Sequence, residues 1–452
     1  MTVLASAWRG LRRQPWPAWL GIGALQLAAF TAVGDLPQPL QSSTAAALAL
    51  LALLLMGRMP WRELRVHPLS PLLLLLAGYS LLQAAIVATP LAGQGYARQL
   101  TLDTDPLKVL IYALVFGWWL ARYPRWILRT LAMLAAGWVL WALLRMPWSQ
   151  LGVLADASLR LRLGYAQNLT GAFAALVLMI ALCGAWLCRR DAAGNSLLGD
   201  LRSDVWGLLC VAALVILLFA QSRGAWLAAA CGAALLALLG RVPRARSTAT
   251  PGSRWRLLGG LAVLTLLVVA YVARPAVLQR FDSGQHAALA VLDGGAVSAA
   301  APSVGLRIEL WRFGLERIVE RPLFGWGLAS IESQIAAHGI RWQGYIPPHL
   351  HDTPLQVAMG MGLIGLLLLA AAFLLPYRDL WRAWRATPAA RPGLALLLAL
   401  ALVLLVVNLF DYLAWSNGYM RGPLEIVLGC ALAVSLRWRR GQPPLAPAPD
   451  GR

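Results

Sequence analysis

Charge is what this chain lacks: only 13% of its 452 residues are Asp, Glu, Lys or Arg. A soluble protein of this length needs far more polar surface to cover a core. Acid is scarcer than base, 19 residues against 39, and Lys108 stands alone among arginines. Cysteine in polar loops is lacking too. Cys183, Cys188, Cys210, Cys231 and Cys430 all fall inside or at the ends of apolar runs, and none shows metal-type spacing. That excludes a disulfide framework and leaves them as small core residues. No small-residue cleavage site follows Arg9, Arg12 and Arg13, so the first apolar stretch reads as an uncleaved span. No internal repeat is visible.

What is there is hydrophobicity, 60% of the chain, in long runs from end to end. The bilayer takes the place of water as the main solvent. Candidate spans run over residues 17–33, 44–56, 71–88, 107–120, 126–144, 169–188, 205–220, 225–239, 257–272, 354–375, 393–408 and 423–436. The fold expected is all-α, an integral membrane protein of about twelve transmembrane helices.

The net charge of +20 could suggest a nucleic-acid binder, but the basic residues sit in short clusters between apolar runs, not on one polar face. No nucleic acid is implied. The clusters instead follow the positive-inside rule. Arg58, Arg62 and Arg65; Arg122 and Arg125; Arg189, Arg190 and Arg202; Arg241 to Arg256; Arg378 to Arg391; and Arg437 to Arg440 occupy alternate connections. Twelve spans put them all on one side with both termini cytoplasmic, and dropping any one span breaks the alternation. The division expected is residues 1–272 as spans one to nine, 273–353 as one large periplasmic loop, and 354–452 as spans ten to twelve with a cytoplasmic tail.

The large loop begins with a Gly, Ala and Ser-rich stretch and continues into an amphipathic helix over residues 307–321. Ile308, Trp311, Leu315, Ile318 and Val319 form its apolar face, and Arg312, Glu316 and Glu320 the other. Pro322 and the Gly325-Trp326-Gly327 turn then end it.

The informative charges are those that escape the inside clusters. Arg223 lies in Gln221-Ser222-Arg223-Gly224, a tight outer turn between two apolar spans. An arginine there is costly unless it snorkels or meets an anion, and its fixed fork suits a diphosphate. Arg160 and Arg162 precede the sixth span, just before Gln167 and Asn168, and Arg307 sits at the edge of the apolar face of the loop helix. The loop ends in Pro348-His349-Leu350-His351-Asp352-Thr353, with two of the five histidines at an outer interface. Histidine is the natural general base near neutral pH, and Asp352 could orient a ring. The His-x-His-Asp run and Asp103-Thr104-Asp105 also allow a divalent-ion reading.

Taken together, Gln221-Ser222-Arg223-Gly224, Gly305-Leu306-Arg307 with Trp311, Arg321-Pro322-Leu323-Phe324-Gly325-Trp326-Gly327, and His351-Asp352-Thr353-Pro354-Leu355-Gln356 leading to Gly362-Leu363-Ile364-Gly365 resemble the O-antigen ligase and polymerase superfamily of bacterial envelope glycosyltransferases. Asp352 departs from that pattern, which usually carries Asn there. The resemblance implies a GT-C-like fold in the inner membrane, with an active site facing the periplasm and no metal or other cofactor. It implies a glycan donor on undecaprenyl diphosphate and, in ligases, a lipid A–core acceptor. Carried onto this chain, Arg223, Arg307 and Arg160 or Arg162 bind the diphosphate, and His351 or His349 takes the acceptor proton. An O-antigen polymerase or a protein O-oligosaccharyltransferase shares this donor chemistry. A twelve-span transporter or lipid flippase fits less well, because the spans carry few charges (Arg129 is one) and no two-fold repeat.

The topology makes a direct prediction. A phosphatase fused near residue 290 should be active outside the cytoplasm, and a fluorescent protein fused after residue 440 should fluoresce inside it. The reverse pattern would overturn the twelve-span arrangement.

Overall fold

The computed structural model describes residues 16–33, 48–52, 67–87, 96–149, 160–191, 197–240, 302–342, 344–413 and 420–445, with scattered positions between 271 and 285. Among these, regular structure is helical apart from one bridge between Trp342 and Tyr345. The principal helices are α1 (Trp16–Thr31), α2 (Leu69–Val87), α3 (Tyr96–Arg122), α4 (Ile127–Arg145), α5 (Gln167–Asp191) and α6 (Leu197–Phe219). They continue with α7 (Arg223–Leu239), α8 (Pro302–Glu320), α9 (Ile331–His338), α10 (Thr353–Ala386), α11 (Arg391–Leu409) and α12 (Arg421–Arg439).

Helices stand at ten of the twelve apolar segments read from the sequence. Segments 44–56 and 257–272 lie largely outside the described residues, as do most of the Gly/Ala/Ser-rich part of the loop and the arginines between 241 and 256. By length and composition, five helical stretches are able to cross a membrane: Leu69–Val87, Pro124–Arg145, Gln167–Leu187, Thr353–Ala386 and Pro388–Leu409. Asp204–Phe219 and Arg223–Leu239 are shorter apolar helices. The chain is therefore a multi-pass, all-α membrane protein. In a bilayer a helix is the economical solution, because each N–H and C=O finds its partner within the segment.

Two apolar cores divide the molecule. One joins α1, α4, α5, α6, α7 and α11 to parts of α3 and α12, and the other joins α2, α8, α9 and α10 to the remaining faces of α3 and α12. Small residues let α3 and α12 run close together: a Cβ on Gly117 would lie 2.7 Å from Leu432 Cβ, and one on Gly429 would lie 3.0 Å from Phe116 Cβ. That is how helices associate where lipid offers no hydrophobic drive. At one end of the bundle Asp379 of α10 is a junction. It accepts Ser435 Oγ at 2.7 Å and Arg439 Nε at 2.5 Å, while His67 meets Ser435 Oγ at 3.0 Å.

Two helices differ from the sequence reading. In α3 the helix begins at Tyr96, well before the apolar run, because Asp103 and Asp105 find partners on their own helix in Gln99 and Lys108. In α8 the buried stripe is rotated. Leu310, Phe313 and Gly314 are buried, while Leu315 and Val319 are 56% and 79% exposed. The reason is Gly314, whose missing side chain lets α8 settle onto Leu350 and Leu355.

The helix α10 is broken at Gly362, which has φ 66° and ψ −179°. A break inside a membrane helix must have its freed groups satisfied. Here the turn after α8 supplies them. Met359 O accepts Trp326 N at 2.9 Å, Gly360 O accepts Gly327 N at 2.8 Å and Gln83 Nε2 at 2.8 Å, and Tyr79 OH donates to Met361 O. Leu363 N donates in return to Pro322 O at 2.7 Å. The motif residues 321–327 and 362–365 thus form one clasp.

A Cβ at Gly362 would lie 2.1 Å from Leu323 O, in a left-handed conformation as well. Gly362→Ala should cost about 2–4 kcal/mol. Gly78→Ala, inside a helix with nothing within 4 Å of the added Cβ, should cost nothing and stabilise by up to about 1 kcal/mol. Thermal unfolding of the two purified variants checks this, and equal midpoints would refute the clasp.

Candidate functional site

The start of α5, the α6–α7 turn, the approach to α10 and the end of α11 meet at one place, where the two cores adjoin. At its centre is Asp411, 7% exposed and two residues beyond α11. Its Oδ1 accepts His351 Nδ1 at 2.8 Å and Tyr412 N at 2.9 Å, and its Oδ2 accepts Asn168 Nδ2 at 2.8 Å. Burial alone would push this carboxyl up. The hydrogen bond from His351, the nearby histidines and Asn168 overcome that and hold it well below the usual carboxylate range. These donors favour the charged form of Asp411.

Local structure fixes each partner. His351 has φ 54°, one of two positive-φ non-glycine residues among those described, and this turn swings its ring back towards Asp411. Thr353, first residue of α10, donates to Asn408 Oδ1 at 2.8 Å and so ties α10 to α11 beside the pair. Gln356 Oε1 receives Leu350 N at 2.9 Å. The Leu-Gln of the sequence motif therefore serves to hold the histidine loop.

The two histidines differ in kind. His349 is buried, its ring centroid 4.3 Å from that of His351, and its Nδ1 accepts the His351 backbone N–H at 3.3 Å. Burial, then the charges of His351 and Arg307, push it down to about 4, with Asp411 acting the other way. It is a neutral acceptor and a poor base. His351 instead has one ring nitrogen bound to a carboxylate, which leaves Nε2 as its basic atom.

Asp352, expected as the orienting acid, plays another part: it caps α10 by accepting Leu355 N at 2.7 Å. The carboxylate that meets the His351 ring is Asp411, sixty residues beyond that histidine. The divalent-ion reading of Asp103 and Asp105 also gives way. Asp103 is buried against Gln99, and Asp105 binds Lys108 at 2.7 Å and faces Arg421. The ligand atoms of His349, His351 and Asp411 lie within 4.8 Å of one another, near enough to hold an ion. Chelation there would require His351 to give up its hydrogen bond, and a guanidinium lies near enough for its charge to act on the same carboxylate.

That guanidinium is Arg307. Burial lowers its pKa and Asp411 raises it again. Its Nη1 donates to Ser303 O at 3.4 Å, while its enclosed Nε has no hydrogen-bond partner among the described residues. Arg160 donates through Nη2 to Gln221 O at 3.4 Å, and the chain beside it is laid on the end of α6 by Leu161 N to Phe219 O at 2.9 Å. Arg223 opens α7, directly after Ser222, whose hydroxyl caps that helix. Arg162 is exposed. The structure thus brings His349, His351 and Arg307 together around Asp411, with Arg160 and Arg223 at the adjoining turn.

The family model described as O-antigen ligase matches residues 208–370. Over 77 residues the chain is 35% identical to a protein of Rickettsia conorii (strain ATCC VR-613 / Malish 7) provisionally named a polysaccharide ligase, 16% of this chain and 18% of that one. A like-named protein of Rickettsia felis (strain ATCC VR-1525 / URRWXCal2) is 32% identical over 77 residues, 16% of this chain and 19% of that one. The chain spans less than a fifth of the length of these curated relatives. The resemblance read from the motifs is borne out over the stretch that holds Arg223, Arg307 and both histidines; Arg160, Asn168 and Asp411 lie outside it.

His349 gives a pH signature. An unfolded chain protonates a histidine near pH 6.5, whereas the folded chain holds this one neutral until about 4. Its contribution to stability is complete above pH 6.5 and is lost as the pH falls towards 4. His349→Gln keeps an acceptor but cannot titrate, so its thermal midpoint should drop less between pH 7.5 and pH 5 than that of the parent protein. An equal drop would mean that His349 is not held neutral.

Proposed function

We propose that this protein is an O-antigen ligase, transferring a glycan from undecaprenyl diphosphate to the lipid A–core oligosaccharide on the periplasmic face of the inner membrane. The observation that carries the reading is the His351–Asp411 pair, at 2.8 Å, beside the Arg307 guanidinium. This arrangement suits attack by a hydroxyl on a carbon that bears a diphosphate leaving group.

In this reading Asp411 holds His351 with Nδ1–H towards the carboxylate, so that Nε2 takes the proton of the acceptor hydroxyl. The acceptor oxygen forms a bond to the anomeric carbon as the bond from that carbon to the diphosphate oxygen breaks. Negative charge collects on the departing lipid diphosphate. Arg307, with Arg223 and Arg160 at the turn, meets that charge with fixed donors in a water-poor place. The chemistry asks for no metal or other cofactor. His349 supports the loop by accepting the His351 amide. The division into spans 1–272, loop 273–353 and spans 354–452, with both termini cytoplasmic, places the site at the outer interface, where a lipid diphosphate presents its head group.

The test is a strain lacking the protein, complemented with His351→Ala or Asp411→Asn at verified expression, with surface lipopolysaccharide read on a gel. Loss of a positioned base costs about 10²–10⁴ in rate. Capped lipopolysaccharide should therefore vanish while lipid-linked polymer accumulates. Cores carrying single repeats would indicate an O-antigen polymerase, and normal lipopolysaccharide with unglycosylated envelope proteins a protein O-oligosaccharyltransferase. Full capping by both variants would sink the mechanism.

A further inference from the structure

The hydrogen bonds around Asp411 continue past Asn168 to the Gln221–Gly224 turn. A carboxylate can only accept, so Asn168 must present its nitrogen to Asp411 and its oxygen to Ser222. The distances agree: Ser222 Oγ donates to Asn168 Oδ1 at 3.2 Å, Asn168 Nδ2 to Asp411 Oδ2 at 2.8 Å, and His351 Nδ1 to Asp411 Oδ1 at 2.8 Å. Every donor in this row points the same way, towards the carboxylate. Ser222 meanwhile accepts Ala225 N at 3.4 Å and so sets the first turn of α7, where Arg223 stands. Gly171 permits the approach, since a Cβ there would lie 2.8 Å from Ala225 Cβ and 3.2 Å from Ser222 Cβ.

A second, independent observation marks the two ends of this row. Gln221 (φ 50°) and His351 (φ 54°) are the non-glycine residues with positive φ among those described. Strained backbone of this kind persists only where its surroundings over-determine it, and it gathers at functional sites. One strained residue adjoins Ser222 and the other is the base. A helix cap alone explains Ser222 but not Asn168. Asp411 already has His351 and Tyr412 N as donors on its other oxygen.

We propose that Ser222 and Asn168 are positioning residues, a relay that ties the arginine-bearing turn at the start of α7 to the base His351. The turn that meets the diphosphate and the histidine that activates the acceptor are then aligned as one unit. This rests on the reading of His351 as the base. Asn168 touches neither substrate; it acts through Asp411.

Asn168→Asp tests the relay. The charged and titratable groups around it are Asp411 after α11, His349 and His351 before α10, Arg307 on α8, Arg160 before α5 and Arg223 on α7. Two carboxylates at hydrogen-bond distance share one proton. With that proton in place the substituted carboxyl can donate to Asp411 as the amide did; once it leaves, the two acids repel and the relay opens. The full-length protein in liposomes is assayed from pH 5.5 to 9, with undecaprenyl-diphosphate-linked glycan and uncapped lipopolysaccharide as probes. Relative to its own rate at pH 6, Asn168→Asp should lose about tenfold or more by pH 9, a limb missing from the parent profile. Asn168→Ala should lower kcat about tenfold at every pH with KM for the acceptor little changed. A pH profile parallel to the parent's overturns the relay, and because each profile is scaled to itself this holds even where Asn168→Ala fails to fold. His351→Gln in the same assay separates the two ideas. If it turns over normally the base assignment has failed; if it is inactive while both Asn168 variants behave as the parent, only the relay has.

Discussion

A carboxylate withdrawn from water is unstable unless donors surround it, and Asp411 is such a carboxylate. Its needs organise the site. Tyr412 N comes from its own turn, Asn168 from α5, and His351 from the loop that enters α10. The Arg307 charge on α8 lies close enough to be felt. Each of these elements belongs to a different part of the bundle, so the carboxylate is also a point of attachment between the two apolar cores. Removing its charge would loosen the geometry as well as the chemistry.

The site needs a rigid approach, and the break in α10 provides it. A continuous helix through Gly362 would leave the turn after α8 without partners. Instead the freed carbonyls of residues 359–361 are taken up by Trp326, Gly327, Gln83 and Tyr79. The half of α10 before Gly362, which carries the histidine loop at its tip, is thereby fastened to α2 and to the turn after α8. At the far end Asp379 fastens the same helix to α12. The helix is held at both ends and in the middle.

Much of this was legible in the sequence because the chemistry announces itself where polarity is rare. Two histidines just before an apolar span, and arginines apart from the basic clusters, stand out in a chain with 13% charge. The helical segments were legible for the same reason. Asp411 was not, because it follows a long apolar run and lies sixty residues from its partner. Asp352, adjacent in sequence, looked like the better candidate until the backbone placed it in a cap. A signal was available: Asn408 and Asp411 are polar groups at the mouth of an apolar span, where each is costly without a role. The α8 face was misread because its contact is set by Gly314, a residue that carries no hydrophobicity of its own.

The separation of these partners along the chain has a consequence for the making of the protein. Asn168 and Asp411 are 243 residues apart, and Ser222 and His351 enter between them. A ribosome inserting the chain from its N-terminus delivers the arginine-bearing turn and the histidine loop first, and the carboxylate only after α11 has followed. Until then His351 has no orienting acid and Asn168 no acceptor. A half-synthesised chain therefore has no assembled site, and the carboxylate meets its donors only when the helices on both sides of it are already in place.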